Sequence, residues 1–221
     1  YRNLPLWFNY EPGSVMKIFL VASAFEAGTV EPDTGFFCEY GQYQFGRKVI
    51  HDTHDYGDLT VREILKVSSN IGATKIAERM GREALWNWYS AWGFGRLTGI
   101  DMPGESGGIL RHWNRWWPVD LATHAFGPVV SVTALQVAAG LSAIANGGRL
   151  MRPYVVQEVR DRHGRTVSRT EPSETRRVLC DGTAAEMRSM MAAVMEEGGT
   201  GTQARLDDYT AAGKTGTAQK V

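Results

Sequence analysis

Ser14 and Lys17 stand three residues apart in Glu11-Pro12-Gly13-Ser14-Val15-Met16-Lys17. That spacing places two side chains about one turn apart on the same helix face. From Val15 to Ala27 the chain is apolar on nearly every side, and Lys17 is the lone charge before Glu26. A helix that is apolar all round belongs inside a larger body. A lysine carried inside with it is driven toward its neutral amine by desolvation, which makes it a candidate base at neutral pH. A hydroxyl beside such an amine at a helix N-terminus is an arrangement for an activated nucleophile. The pattern is common, since S-x-x-K occurs about once by chance in a chain of this size. A lysine that snorkels to the surface would be an ordinary explanation for it. The chemistry therefore needs partners elsewhere in the chain.

Two further groups supply them. Ser68-Ser69-Asn70 lies between two helical segments, where serine and asparagine serve as helix caps by default. Lys214-Thr215-Gly216 is much less frequent by chance, at well under ~0.1 expected matches. It offers a fixed cation for a carboxylate, a hydroxyl donor, and a glycine that lets a ligand backbone come close. His51-Asp52-Thr53-His54-Asp55 contains potential metal ligands, but adjacent His and Asp without helical spacing describe a solvated loop, and no metal or cofactor is expected.

The elements that must position these residues are legible from periodicity and punctuation. Pro12 suits a first helical turn and Gly28 the position past its end. Thr60-Val61-Arg62-Glu63 is a capping box that opens a helix through Val67. A second helix follows over Ile71–Met80, ended by Gly81, and a third over residues 82–93 carries Trp86, Trp88 and Trp92. The chain has 7 tryptophans, which the helical spacing assigns to core rather than to sugar stacking. Ser131 to Asn146 reads as a second all-round apolar helix, stopped by Gly147-Gly148. Tyr154–Val159 and Thr166-Val167 read as a hairpin around Arg162-His163-Gly164. Thr183-Ala184-Ala185-Glu186 reads as the capping box of a helix through Met195. Tyr209 to Val221 reads as a final strand.

Composition is that of an ordinary globular chain of 221 residues, 43% hydrophobic and 22% charged. Lys+Arg and Asp+Glu are both 24, so the net charge of zero argues against nucleic acid as a partner. No stretch has the length or apolarity of a membrane span. The opening Tyr1-Arg2-Asn3-Leu4-Pro5 has no signal-peptide pattern and is expected to come from within a longer protein. Cys38 and Cys180 lack metal-ligand spacing and cannot form a disulfide framework.

Ser14-x-x-Lys17, Ser68-x-Asn70 and Lys214-Thr215-Gly216, in that order, form the three-part set of the penicillin-recognising serine enzymes. The chain resembles the transpeptidase domain of class B penicillin-binding proteins over nearly its whole length. The resemblance extends to Thr98-Gly99-Ile100-Asp101-Met102-Pro103-Gly104-Glu105, to Val132–Gln136 with Ala145–Gly148, and to Ala212–Gln219, where Ala218-Gln219 favours class B. It implies an α+β, α-rich transpeptidase fold of the penicillin-binding protein/serine β-lactamase type. In that family further strands and a helix complete the sheet. Residues 1–221 are thus expected to be a partial domain with an incomplete antiparallel sheet and an exposed edge at its last strand. A membrane anchor, an N-terminal non-catalytic domain and the C-terminal strands would lie outside the chain.

The resemblance also implies a mechanism and a place. Ser14 would be the nucleophile, Lys17 its base, Ser68 a proton relay, and Asn70 the group that orients Lys17 and holds the substrate amide. Lys214 and Thr215 would hold a terminal carboxylate. Gly216 and Thr217 would line the substrate, with N–H groups of Ser14 and Thr217 as the oxyanion hole. The implied partners are the D-Ala-D-Ala end of peptidoglycan stem peptides, β-lactams, and the division or sporulation machinery of cell-wall synthesis. The implied location is the extracytoplasmic face of the bacterial inner membrane. Two relatives of this chemistry are alternatives. A serine β-lactamase would need a water-activating pair, which Glu83 and Asn87 imitate but too soon after Ser68. A β-lactam sensor usually carries an aliphatic residue where this chain has Asn70. A helical binding module with coincidental motifs is the bland alternative.

Overall fold

An all-apolar helix is stable only where every side meets protein, and the chain wraps its other helices around the one that carries Lys17. The computed structural model describes residues 3–217 and 219–220; Tyr1, Arg2, Ala218 and Val221 lie outside the described residues. A short helix α1 (Leu4–Trp7) and strand β1 (Tyr10–Glu11) lead through a 3-10 turn (Gly13–Val15) into α2 (Met16–Glu26). Every residue of α2 from Met16 to Ala24 is buried. The next elements are β2 (Gly35–Phe37), β3 (Gln42–Phe45), β4 (Lys48–His51), β5 (Asp58–Thr60), α3 (Val61–Val67), α4 (Asn70–Met80) and α5 (Arg82–Ala91). After a long loop come α6 (Pro118–Phe126), α7 (Ala134–Ala145), β6 (Arg149–Met151), β7 (Glu158–Arg160), β8 (Thr166–Arg169), β9 (Glu174–Arg177), α8 (Asp181–Ala193) and β10 (Gln219–Lys220). Helix α2 packs against α3, α4, α5, α6 and α8, so the core is centred on it.

The core contacts explain the aromatic residues of the third helix and its loop. Phe19 meets Trp92 edge-on at 5.2 Å and Phe94 at 4.9 Å between ring centroids. The Trp92 indole N–H donates to Ser23 Oγ (2.9 Å), which in turn donates to the Phe19 carbonyl (2.6 Å). Trp92 and Trp116 are core as expected, whereas Trp117 is 74% exposed.

The strands form five separate two-stranded antiparallel ladders among the described residues: β1–β10, β2–β5, β3–β4, β6–β9 and β7–β8. No closed five-stranded sheet is present among those residues, in keeping with the expected α-rich fold and incomplete sheet. The ladder β1–β10 pairs Tyr10 with Lys220 and Glu11 with Gln219, tying the last motif to the segment before Ser14.

Four sequence expectations change in detail. The capping box at Thr60 and Glu63 is present, but the one proposed at Thr183 is not: Cys180 caps α8, its Sγ accepting from the Thr183 N–H at 3.4 Å. Glu186 is instead paired with Arg62 across to α3 at 2.6 Å. Helix α7 starts at Ala134 rather than Ser131, since Ser131 and Val132 bridge to Ile109 and Tyr10 and Thr133 is the cap. The hairpin begins only at Glu158, because the N–H groups of Val155 and Val156 are taken by the Asp101 carboxylate, both at 2.8 Å. Of the expected last strand, only Gln219–Lys220 forms a ladder; residues 211–217 have no strand partner among the described residues. Cys38 is buried and Cys180 exposed, both as free thiols.

Replacing Phe19 by Ala removes the ring that joins α2 to Trp92 and Phe94 and should destabilise the chain by about 3–5 kcal/mol. The cap substitution Thr60→Ala should cost only about 0.5–2 kcal/mol. Denaturant unfolding of the two variants checks this ranking, and a smaller loss for Phe19→Ala would mean the core is not centred on α2.

Candidate active site

Ser14 lies in the 3-10 turn, half-buried, and Lys17 follows one turn later in α2. Pro12 is buried at the head of that turn with φ −73°, as the fixed ring geometry favours. Gly13 has φ +56°, a conformation that L side chains rarely adopt. It also faces the carbonyl oxygen of Thr217 so closely that a Cβ could not be accommodated. Gly216 answers from the other side: a Cβ there would come within 2.8 Å of Val15 Cγ2 and 3.1 Å of the Pro12 carbonyl. The two glycines thus let Lys214–Thr217 lie directly on the Ser14 turn.

The second motif divides its work. Ser69 is the helix cap of α4, accepting from the Gly72 N–H at 2.9 Å. Ser68 ends α3 in the left-handed conformation, φ +64°, and its flanking position leaves it and Asn70 facing α2. Lys17, 0% exposed, donates to the Ser68 carbonyl (2.5 Å), Asn70 Oδ1 (2.7 Å) and Ser68 Oγ (3.2 Å). A neutral amine keeps two N–H groups, enough for the two shorter contacts, and a lone pair that can accept a proton. Burial pushes Lys17 well below the ordinary lysine pKa; the Lys214 cation pushes the same way and the Asp52 carboxylate opposes it.

A cavity of about 430 Å³ opens over these groups. Ser14, Ser68, Asn70, Thr215, Gly216 and Thr217 line it. Ser14 Oγ makes no hydrogen bond with another described residue and is open to this space. Lys17 lies beneath the cavity rather than on its wall. Lys214 borders a neighbouring cavity with Val15 and Met191, and its Nζ donates to the carbonyl (3.0 Å) and Oγ1 (3.3 Å) of Thr215. Burial lowers the Lys214 pKa to about 8. Of the sequence-predicted residues, six therefore line one cavity. Lys17 touches two of them from below, and Lys214 touches Thr215 from behind.

Two contributors were not found by sequence reasoning. Asp52, taken as part of a solvated loop, accepts from Ser69 Oγ at 2.6 Å, from the Ile71 N–H at 3.1 Å and from the Asn70 N–H. The neighbouring His51 carbonyl accepts from Asn70 Nδ2 at 2.9 Å, which leaves Asn70 Oδ1 for Lys17. Thr200 Oγ1 accepts from Thr215 Oγ1 at 2.7 Å and lines the same cavity. A lone threonine amid Gly198, Gly199 and Gly201 was the available signal for Thr200; for Asp52 there was none beyond the presence of a carboxylate. Glu83 and Asn87 are exposed on α5 and do not line the cavity.

The full chain, residues 1–221, matches the family described as penicillin binding protein transpeptidase domain. It is 40% identical to stage V sporulation protein D of Bacillus subtilis, over 100% of this chain and 34% of that protein. It is 34% identical to the probable peptidoglycan D,D-transpeptidase PenA of Neisseria gonorrhoeae, over 99% of this chain and 36% of that protein. The chain thus spans about a third of the length of these curated relatives. Its fold is similar to the TP domain of penicillin-binding protein 3 from Burkholderia pseudomallei, with TM-score 0.87 and 34% identity over 97% of this chain and 62% of that one. With one cavity gathering the three motifs and a match that runs from end to end, the chain belongs to the penicillin-binding protein transpeptidase-domain family.

Proposed function

We propose that the chain is the acyl-transfer part of a peptidoglycan D,D-transpeptidase that cross-links stem peptides through a serine acyl-enzyme. The observation that carries this reading is the convergence of Ser14, the Ser68–Asn70 turn and Thr215–Thr217 on one cavity, with a desolvated Lys17 beneath it. The family match and the D,D-transpeptidase named among the relatives support it.

The Ser14 hydroxyl gives its proton to the Lys17 amine as Oγ attacks the penultimate D-Ala carbonyl carbon. The oxyanion that forms is held by the backbone N–H groups of Ser14 and Thr217. Collapse of this intermediate breaks the peptide C–N bond. A proton passes through the Ser68 hydroxyl, in hydrogen-bond reach of Lys17 Nζ, to the departing D-Ala nitrogen. An amine of a neighbouring stem peptide then attacks the ester, and Ser14 regains its proton. Asn70 keeps Lys17 in place through Oδ1 and offers the substrate a side-chain amide. Lys214 and Thr215 hold the terminal carboxylate, and Gly216 lets the substrate backbone come close. A β-lactam follows the same first step: its ring amide opens onto Ser14 and no fragment leaves from that bond, which makes the adduct persistent.

The substrate sets the place of action. Stem peptides are presented at the extracytoplasmic face of the bacterial inner membrane, and the parent protein would be anchored there by a segment beyond this chain. No helix among the described residues is long and apolar enough to cross a membrane. Residues 1–221 belong to the transpeptidase domain of that parent, whose working partners are proteins of division or sporulation.

Incubation with benzylpenicillin followed by intact mass and peptide mapping tests the reading. One adduct, stable and located on Ser14, is expected, and it should be absent from Ser14→Ala. Rapid loss of the adduct would indicate a β-lactamase, and labelling that survives in Ser14→Ala would remove the nucleophile assignment. Lys17→Ala should slow acylation by roughly 10²–10⁴-fold.

The pH profile gives a second prediction. The base must be neutral, so acylation rises with pH as Lys17 loses its proton. The carboxylate-binding cation must stay charged, so the rate should fall again as pH passes about 8, where Lys214 deprotonates. Lys214→Arg stays charged throughout. It should therefore lose the alkaline limb, and an unchanged limb in that variant would assign it to another group.

A further inference from the structure

We propose that Asp52 is a positioning residue of the acylation site, whose carboxylate holds the Ser68–Asn70 turn in the arrangement that cradles Lys17. The proposal rests on the transpeptidase reading of Ser14 and Lys17 and adds to it a residue from outside the three motifs.

Both carboxylate oxygens are engaged. Oδ2 accepts from Ser69 Oγ at 2.6 Å, and Oδ1 accepts from the Ile71 N–H at 3.1 Å and from the Asn70 N–H. The N–H groups of Asn70 and Ile71 belong to the first turn of α4, where a helix has no internal acceptors to offer. Ser69 Oγ, which caps the same turn through the Gly72 N–H, has its own hydroxyl proton directed into Asp52. One side chain therefore sets the cap, the first two backbone amides of α4, and with them the pitch at which Asn70 leaves the helix.

The mount is itself anchored. The Asp52 N–H donates to the Gly41 carbonyl at 3.1 Å, and His51 is the last residue of β4, paired with Gln42 of β3. The His51 carbonyl takes the Asn70 Nδ2 hydrogen, so Asn70 Oδ1 is the atom left for Lys17. A line of contacts thus runs from the β3–β4 hairpin through Asp52 and Asn70 to the base. The left-handed backbone at Ser68 needs such support, because an L residue does not hold that conformation for free.

Charge adds a second effect through the same residue. The groups that face Lys17 are Ser68 and Asn70 from the α3–α4 turn, Lys214 from the third motif, and Asp52 from the loop behind α4. Lys214 disfavours the Lys17 ammonium, whereas Asp52 favours it. Removing the negative charge lowers the pH at which Lys17 becomes neutral. Burial raises the pKa of the neighbouring Cys38 and Tyr56, and the Asp52 carboxylate pushes both the same way.

Carbon-13 lysine NMR reads the Lys17 titration directly, with Lys17→Arg to assign the signal, and penicillin acylation reads the site as a function of pH. In Asp52→Asn the Lys17 midpoint should move down by about half a pH unit or more, and the rising limb of acylation should move with it. Asp52→Glu keeps the charge but displaces the carboxylate; its Lys17 midpoint should match the wild type while acylation slows by about tenfold or more. A Lys17 midpoint and acylation rate unchanged in both variants would overturn the proposal. A slowed rate with an unmoved midpoint in Asp52→Asn would overturn the electrostatic part. Loss of the Ser14 adduct in the wild-type chain would instead strike the transpeptidase reading, and the NMR midpoint would still decide whether Asp52 acts on Lys17.

Discussion

The fold depends on keeping a lysine dry. Burying an ammonium without partners is among the largest penalties a protein interior can impose, and α2 accepts it at Lys17 in the middle of its core. Two responses are visible together. The amine is pushed toward neutrality, and the α3–α4 turn surrounds it with three hydrogen-bonding oxygens. Each response constrains other elements: α3 must end at Ser68, α4 must begin at Asn70, and both must dock against α2. The helices that surround α2 provide that docking, and the apolar side chains of α2 supply the drive for it.

A second constraint is closeness of backbone. A cavity whose wall is Thr215–Thr217 and whose floor is the Ser14 turn requires two segments about 200 residues apart to touch without side chains between them. Gly13 and Gly216 remove the side chains that would keep them apart, and the β1–β10 ladder sets their register. The Ser14 turn is thereby clamped between the core helix on one side and the third motif on the other. In the proposed reaction such rigidity serves the chemistry, since an oxyanion hole works only if its donors are in place before charge develops.

The Asp52 loop shows how a site recruits groups that have no motif of their own. A carboxylate that satisfies the open amides of a helix start is a common structural device. Here the helix start is also the turn that presents Asn70 and Ser68, so the device serves structure and chemistry at once. Thr200 plays a comparable part at the opposite wall, through Thr215 Oγ1.

Much of this was legible in the chain itself. The periodicity and punctuation around Pro12, Gly28, Thr60, Gly81 and Gly147 place α2, α3, α4 and α7 within a few residues of where they lie, because helix ends are local events settled by caps and glycines. The candidate residues Ser14, Lys17, Ser68, Asn70 and Lys214–Thr217 were legible for the same kind of reason: residue type and short spacing mark them. The failures were mostly long-range, although the cap of α8 is a local matter, Cys180 standing in for Thr183. Thr183 and Glu186 form a capping box on paper, yet Arg62 claims Glu186; Tyr154–Gln157 has strand composition, yet Asp101 claims its amides. The sequence by itself determined the helices and the motifs, and with them the chemistry proposed here. The tertiary structure decided the burial of Lys17 and the downward push on its pKa, the laying of residues 214–217 on the Ser14 turn, and the conversion of Asp52 from a loop acid into a support of the site. Desolvation, close approach and charge coupling are properties of a residue's surroundings, and those surroundings are supplied by parts of the chain that no local pattern connects.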